Sequence, residues 1–308
     1  MTEEKSGFHT RNKHRNQYDF KQLIEINPEL GKHVKINKFG NESIDFFNPN
    51  AVKALNKALL SYFYGIKYWD IPSGYLTPPV PGRADYIHHV ADLLTDNYAS
   101  KNRKGNKIRC LDIGVGANCI YPIIGTAEYG WDFVGTDIDL VSIEVAEKII
   151  KSNPLLKEKI ELRYNNNANN IFEGIIMKDE YFDISVCNPP FHKSATEAKS
   201  GALRKLSNLH KKSIKNPTLN FGGQSNEIWC VGGEKRFIKN MILESKKFAK
   251  SCFWFTTLVS KEAHLFSIYG LLDKVGALEV KTITMNQGNK KSRIVAWSFF
   301  KIMDNLGS

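Results

Sequence analysis

Asn188, Pro189, Pro190 and Phe191 follow directly on an apolar run, Phe182 to Cys187, and together they could carry a difficult transfer reaction. An exocyclic amine on an aromatic ring is a poor nucleophile because its lone pair is delocalised into the ring. A site that alkylates it must grip the amine hydrogens, turn the lone pair out of conjugation and hold the nitrogen against an electrophilic carbon. The Asn188 side-chain oxygen and the Pro189 carbonyl can both accept from such hydrogens, so little general-base strength is required. Two consecutive prolines stiffen the backbone that presents these acceptors, and transfer within a preformed ternary complex depends on such orientation. Phe191 offers a ring face on which a base can stack, worth about 1–3 kcal/mol in nucleic-acid complexes. Alone, the tetrapeptide could equally be a Pro-rich turn ending a strand beside a buried aromatic.

Two further groups of residues, also at the ends of apolar runs, favour the chemical reading. Leu111-Asp112-Ile113-Gly114-Val115-Gly116 closes one run, and its glycines would let backbone approach a bound nucleoside closely. Gly135-Thr136-Asp137 closes the next, about twenty residues on, where a carboxylate can accept from both ribose hydroxyls. Asp137 could also cap the helix that follows it. A dinucleotide fingerprint would want a third glycine or alanine at position 119, where a pyrophosphate comes close, and this chain has Cys119. A nucleoside cofactor without phosphates, S-adenosylmethionine, is therefore favoured over NAD, and with it methyl transfer to an adenine amine. An adenine stacked inside a duplex could not reach such a pocket, so the target is expected to be unpaired or extruded.

These residues need a scaffold that brings several strand ends together. Short β-rich runs at 107–112, 132–136, 160–163, 182–187 and 252–259 are separated by segments long enough for crossover helices, which predicts a parallel sheet covered on both faces. Leu278 to Met285 and Arg293 to Phe300, joined by a turn over Asn286 to Ser292, read as a closing β-hairpin. An α/β sheet of this kind with a terminal antiparallel hairpin resembles the Rossmann-like, seven-stranded fold of class I S-adenosylmethionine-dependent methyltransferases. Ahead of it, residues 1–83 read as a small extension: a basic arm, a helix over Ala51 to Phe63, and an extended Pro- and Gly-rich loop over Ile71 to Gly82. Residues 84–308 then form the methyltransferase domain, beginning with a helix from Ala84. Within it, an insertion at about 192–232, rich in Lys, Asn, Ser and Gly, is long for a connection and follows Phe191 directly, as a substrate-gripping loop would.

A chain of 308 residues, 42% hydrophobic and 24% charged, can bury a large core. It has no run of eighteen apolar residues, and its polar, basic start lacks the apolar segment of a signal peptide, so a cytoplasmic protein away from membranes is expected. The five cysteines contain no CxxC pair, which argues against a metal site or a disulfide framework. A formal charge of +11 raises the prospect of a polyanionic partner, since lysine and arginine release counterions from phosphate backbones. The basic residues cluster in three places. Candidate RNA contacts are Arg11, Lys13 and Arg15 in the arm, Lys205 and Lys211 in the insertion, and Lys290, Lys291 and Arg293 at the hairpin.

Taken together, the chain resembles the bacterial large-subunit ribosomal RNA methyltransferase F family, which methylates an adenine N6 in 23S rRNA, and the related animal methyltransferase-like protein 16. Beyond the tetrapeptide, the resemblance rests on Arg11-Asn12-Lys13-His14-Arg15, Ile71-Pro72 through Arg83 and Tyr86-Ile87, and Leu111 through Pro122. It continues in Asn220 to Gln224, Gly232-Gly233-Glu234 and Gln287-Gly288 through Phe299. By matching position it implies that Arg83 and Asp137 hold the cofactor, that Gly114 and Asn118 line its site, and that Asn188 to Phe191 do the chemistry; Asp112 and Gly116 of the glycine loop join the cofactor-binding candidates. The implied partner is 23S rRNA or a large-subunit assembly precursor. No role is assigned to Asn165 to Asn167. Three alternatives stand beside this reading. Protein glutamine N-methyltransferases also use Asn-Pro-Pro, but usually with tyrosine fourth and without three basic clusters. The others are a different nucleic-acid adenine methyltransferase and an RNA-binding protein with a vestigial fold, the latter disfavoured by intact Asn188, Asp137 and glycines.

Overall fold

The computed structural model describes residues 7–97, 107–194, 197, 229–287 and 290–301. Short strands β1 (Val34–Ile36) and β2 (Glu42–Ile44) pair antiparallel near the N-terminus. The main sheet comprises β3 (Arg109–Ile113), β4 (Asp132–Asp137), β5 (Ile160–Tyr164), β6 (Phe182–Cys187), β7 (Cys252–Val259), β8 (Glu279–Gln287) and β9 (Lys290–Ser298). Every residue of β6 is buried, as is every residue of β3 after Arg109. Central parallel strands are covered on both faces and so read as continuous apolar runs.

The strand order is β5-β4-β3-β6-β7-β9-β8, parallel from β5 to β7, with β9 inserted antiparallel between β7 and β8. The seven-stranded sheet with its closing hairpin is therefore observed. The hairpin is longer than predicted, because its ladder runs on to Gln287 opposite Lys290 through what the sequence suggested was turn. An antiparallel edge tolerates polar side chains on its solvated face, so a hydrophilic stretch extends the ladder.

Helices α1 (Phe20–Ile26), α2 (Pro49–Tyr64), α3 (Val80–Asn97), α4 (Ile120–Tyr129), α5 (Leu140–Ser152), α6 (Pro154–Lys157), α7 (Gly233–Ser245) and α8 (Leu265–Val275) complete the described elements. Asn48 caps α2 by accepting from Asn50 and Ala51, with Pro49 in the first turn. Contrary to the expected start at Ala84, α3 begins at Val80, inside the Pro- and Gly-rich stretch, so the loop is irregular only to Pro79. Pro81 falls in the first helical turn, where a missing N–H costs nothing, and the Pro79 carbonyl accepts from Gly82 and Arg83.

The boundary drawn at 83/84 thus lies within a continuous helix. Buried side chains of α1, α2 and α3, among them Leu23, Leu59, Leu60, Ile87 and Leu94, share one cluster with Cys110, Ile123, Trp254 and Ile294 of the sheet and its cover. A second cluster, containing Phe172, Ile238, Met241 and Leu272, fills the opposite face beneath α7 and α8. Among the described residues, no helix is long and apolar enough to cross a membrane.

Candidate active site

Strand order reverses between β3 and β6, and the loops leaving the ends of β3, β4 and β6 converge there. Such switch points open a crevice in a doubly wound sheet. Gly114 and Gly116, with φ of +78° and +62°, turn the first loop across the end of β4. There the amides of Gly114 and Val115 donate to the Thr136 carbonyl at 2.9 and 2.8 Å. A Cβ on Gly135 would lie 2.9 Å from Val115 Cγ2, so β4 needs glycine at that position for the loop to settle. Asp137 locks the arrangement, Oδ2 accepting from Gly116 N and Oδ1 from Asp139 N, each at 2.9 Å. Burial raises the Asp137 carboxyl above its ordinary value, partly opposed by these N–H donors.

Arg83 reaches from the first turn of α3 to the other side of the crevice. Its Nη1 donates to Tyr121 Oη at 2.9 Å and to Asn188 Oδ1 at 3.0 Å, and its guanidinium lies 5.5 Å from the Tyr121 ring centroid. Close by, Asp112 is fully buried, and neither carboxylate oxygen has a hydrogen-bond partner among the described residues. Burial pushes its carboxyl well up, the nearby Asp137 adds to this, and Arg83 opposes it. A buried carboxylate without donors is costly. Set beside an arginine, it fits a ligand carrying both an ammonium and a carboxylate, as the amino-acid end of S-adenosylmethionine does.

One cavity of about 370 Å³ joins the glycine loop, Asp137 and Arg83, whereas Asp112, a cofactor candidate by sequence, is not among its lining residues. Gly114, Gly116, Asn118 and Asp137 from the cofactor side and Asn188 and Pro190 from the catalytic tetrapeptide all line it, together with Arg83. Asn118 is largely occupied in holding local structure: Oδ1 accepts from Ile120 N at 3.1 Å, and Nδ2 donates to the Leu76 carbonyl at 3.4 Å. Pro189 is buried. Phe191 is half-buried and lines an adjoining groove rather than this cavity. Sequence reasoning gave no role to Tyr121, which steadies Arg83, or to Asn165, which lines the cavity from the end of β5. The only signals were a tyrosine within Leu111 to Pro122 and a run of asparagines after β5.

The basic candidates are placed differently. Along Arg11 to Arg15, Asn12 and His14 point inward while Arg11 and Lys13 are exposed. Arg11 pairs with Asp92, Lys13 pairs with Glu128 at 2.6 Å, and Arg15 donates to the Thr10 carbonyl at 3.3 Å. Arg293 pairs with Glu262 at 2.5 Å. Each therefore has a partner within the fold. Lys205 and Lys211 lie outside the described residues, as do the side chains of Lys290 and Lys291. Among the described residues, no group of three or more His, Cys, Asp or Glu side chains could hold a metal ion.

Comparison with known proteins shows the family. A family model described as RNA methyltransferase matches residues 2–301. The ribosomal RNA large subunit methyltransferase F of Bacteroides thetaiotaomicron is 57% identical, over 97% of this chain and 99% of its own length. That of Cytophaga hutchinsonii is 55% identical, over 96% and 92%. Among solved structures, the hMettl16 catalytic domain in complex with a MAT2A 3′UTR hairpin matches with a TM-score of 0.78 at 30% identity, over 96% of this chain and 98% of that one. The N-terminal domain of human METTL16 in complex with SAH matches with a TM-score of 0.75 at 29% identity, over 96% and 99%. Matched by the family model almost from end to end, and more than half identical to full-length relatives, the chain belongs to the RNA methyltransferase family.

Proposed function

We propose that the protein transfers the methyl group of S-adenosylmethionine to the N6 amine of one adenosine in 23S rRNA, naked or within a large-subunit precursor, in the cytoplasm. The observation that carries this reading is the single cavity that joins the Gly114–Gly116 loop and Asp137 to Asn188 and Pro190. The names of the relatives support ribosomal RNA as substrate, and the SAH and RNA complexes of METTL16 support both ligands. Bound in this cavity, the cofactor supplies an electrophilic methyl on a sulfonium.

The chain's own residues do the rest by orientation. Arg83 is suited to the carboxylate of an amino acid, the buried Asp112 carboxyl has oxygens without partners among the described residues that the ammonium would satisfy, and Asp137 keeps lone pairs free for ribose hydroxyls. Asn188 Oδ1, steadied by Arg83 at 3.0 Å, and the Pro189 carbonyl accept the amine hydrogens. The nitrogen sheds its proton only after methylation, when it is cationic and acidic, so a strong base is unnecessary.

The test is methyl transfer from labelled S-adenosylmethionine to total RNA from a strain lacking this gene, followed by nucleoside analysis and mapping. A single N6-methyladenosine in 23S rRNA is expected; label in protein instead would favour glutamine methylation and overturn the reading.

A further inference from the structure

Beside the catalytic loop lies a second concavity of about 800 Å³, between α7, α8 and the segment that follows β7. Its lining carries six cations: Lys193, Lys235, Arg236, Lys239, Lys261 and Lys274. All six are exposed, and none forms an ion pair among the described residues. That sets them apart from Arg11, Lys13 and Arg293, whose charges are met within the fold. The one carboxylate of the lining, Glu234, is buried and already used, accepting from Ser260 N at 2.8 Å and facing His264 Nδ1 at 2.7 Å.

Two aromatic rings interrupt this positive surface. Phe191 lines the groove at the catalytic loop, and Phe266 stands 91% exposed at the start of α8. The groove adjoins the reaction site, since Arg236 lines both concavities and Pro190 and Phe191 are adjacent in the chain. The chain after the catalytic loop packs closely on the start of α7: Gly233 has a φ of +64°, and a Cβ there would lie 2.9 Å from Lys193 Cγ.

From these observations we infer that the groove between α7 and α8 is the track for a single-stranded stretch of RNA flanking the target adenosine. Its phosphates meet the six cations, and an unpaired base stacks on Phe266. Unpaired charge beside an exposed aromatic ring such as Phe266 is what sequence-tolerant binding of single strands requires. A lysine-rich face that only kept the protein dissolved would have no need of an aromatic ring held in water beside it. The inference rests on the RNA reading proposed above and adds where the strand leaves the site.

Two variants of the full chain test it, Lys235→Gln/Lys239→Gln/Lys274→Gln and Phe266→Ala, using 23S rRNA fragments that contain the methylated adenosine. For the lysine variant, the slope of log Kd against log salt should shrink by about 2 relative to the unaltered protein. For Phe266→Ala, the Kd for RNA should rise about tenfold with the salt slope unchanged. S-adenosylmethionine affinity, measured alongside, reports that both variants are folded. Unchanged RNA affinity and salt slope in both would overturn the track. A loss seen only on assembled ribosomal particles would assign the groove to a protein surface and overturn it equally. If the unaltered protein binds S-adenosylmethionine but no RNA, the RNA reading itself fails and the track falls with it.

Discussion

Asp112 and Asn188 face each other's problem at the residue scale: one is a buried carboxyl without hydrogen-bond partners among the described residues, the other an acceptor already holding a donor. Asp112 destabilises the unliganded fold because its buried oxygens have no partner among the described residues. Asp112→Asn should therefore leave the unliganded protein as stable as the original, or more so, while weakening S-adenosylmethionine binding by roughly tenfold or more. Urea unfolding and calorimetric titration measure the two quantities; equal losses in both would make Asp112 a structural residue. Asn188 accepts from Arg83, which keeps a second partner in Tyr121. For that reason Asn188→Ala should lower single-turnover methyl transfer by about a hundredfold or more while cofactor affinity stays within about threefold. A parallel fall in both would mean that the tetrapeptide shapes the cofactor site instead of the reacting amine.

Packing of α4 against β4 governs the next scale, because α4 begins directly after the glycine loop. Gly125 sits in this helix where a Cβ would lie 2.4 Å from Phe133 Cζ and 2.7 Å from Cε2. Alanine normally favours a helix over glycine by up to about 1 kcal/mol. Here the aromatic ring would have to move, and overpacking of this kind costs about 1–3 kcal/mol. Gly125→Ala should thus lower stability by about 1–2 kcal/mol net, read as a shifted urea midpoint with an unchanged slope. A gain in stability would show that Phe133 has room to shift.

For the molecule as a whole, the N-terminal strap acts as part of the core. His9 N and Asn12 Nδ2 donate to Asp85 Oδ1 at 2.7 and 3.0 Å, and buried His14 bonds Tyr64 Oη at 2.8 Å. Burial works against the charge on Asp85, yet its contacts with His89, Asn12 and His9 outweigh this and hold its carboxyl below the ordinary value. Behind the strap, burial and then the charges of His9 and Arg11 lower His88 to about 4. The unfolded chain takes up this proton near 6.5 and the folded one only near 4. The stability contributed by neutral His88 is therefore complete above 6.5 and is lost as pH falls toward 4, up to about 3 kcal/mol. Urea midpoints should fall steeply between pH 7 and 4.5, and His88→Asn should flatten that dependence; an unaltered slope would remove His88 as its source.

Much of the fold was legible because central strands, buried on both faces, must be continuously apolar: β6 and β7 begin and end where the composition says they should. The glycines, Asp137 and the tetrapeptide could be read for a related reason, since each closes such a strand and has few residue types able to do its work. The start of α3 could not be read, because a proline is compatible with both a loop and the first turn of a helix. Nor could the partners of the basic residues, because periodicity reports which side chains are exposed and says nothing of which acid lies opposite. Pairing of Arg11 with Asp92 joins positions far apart in the chain, as does the bond from Arg83 to Asn188. The sequence by itself determined the central strands, the residues at their ends and the kind of chemistry they suit. Only the tertiary structure decided which of its many positive charges the fold neutralises and which it leaves for a partner, because a charge is neutralised by its neighbours in space.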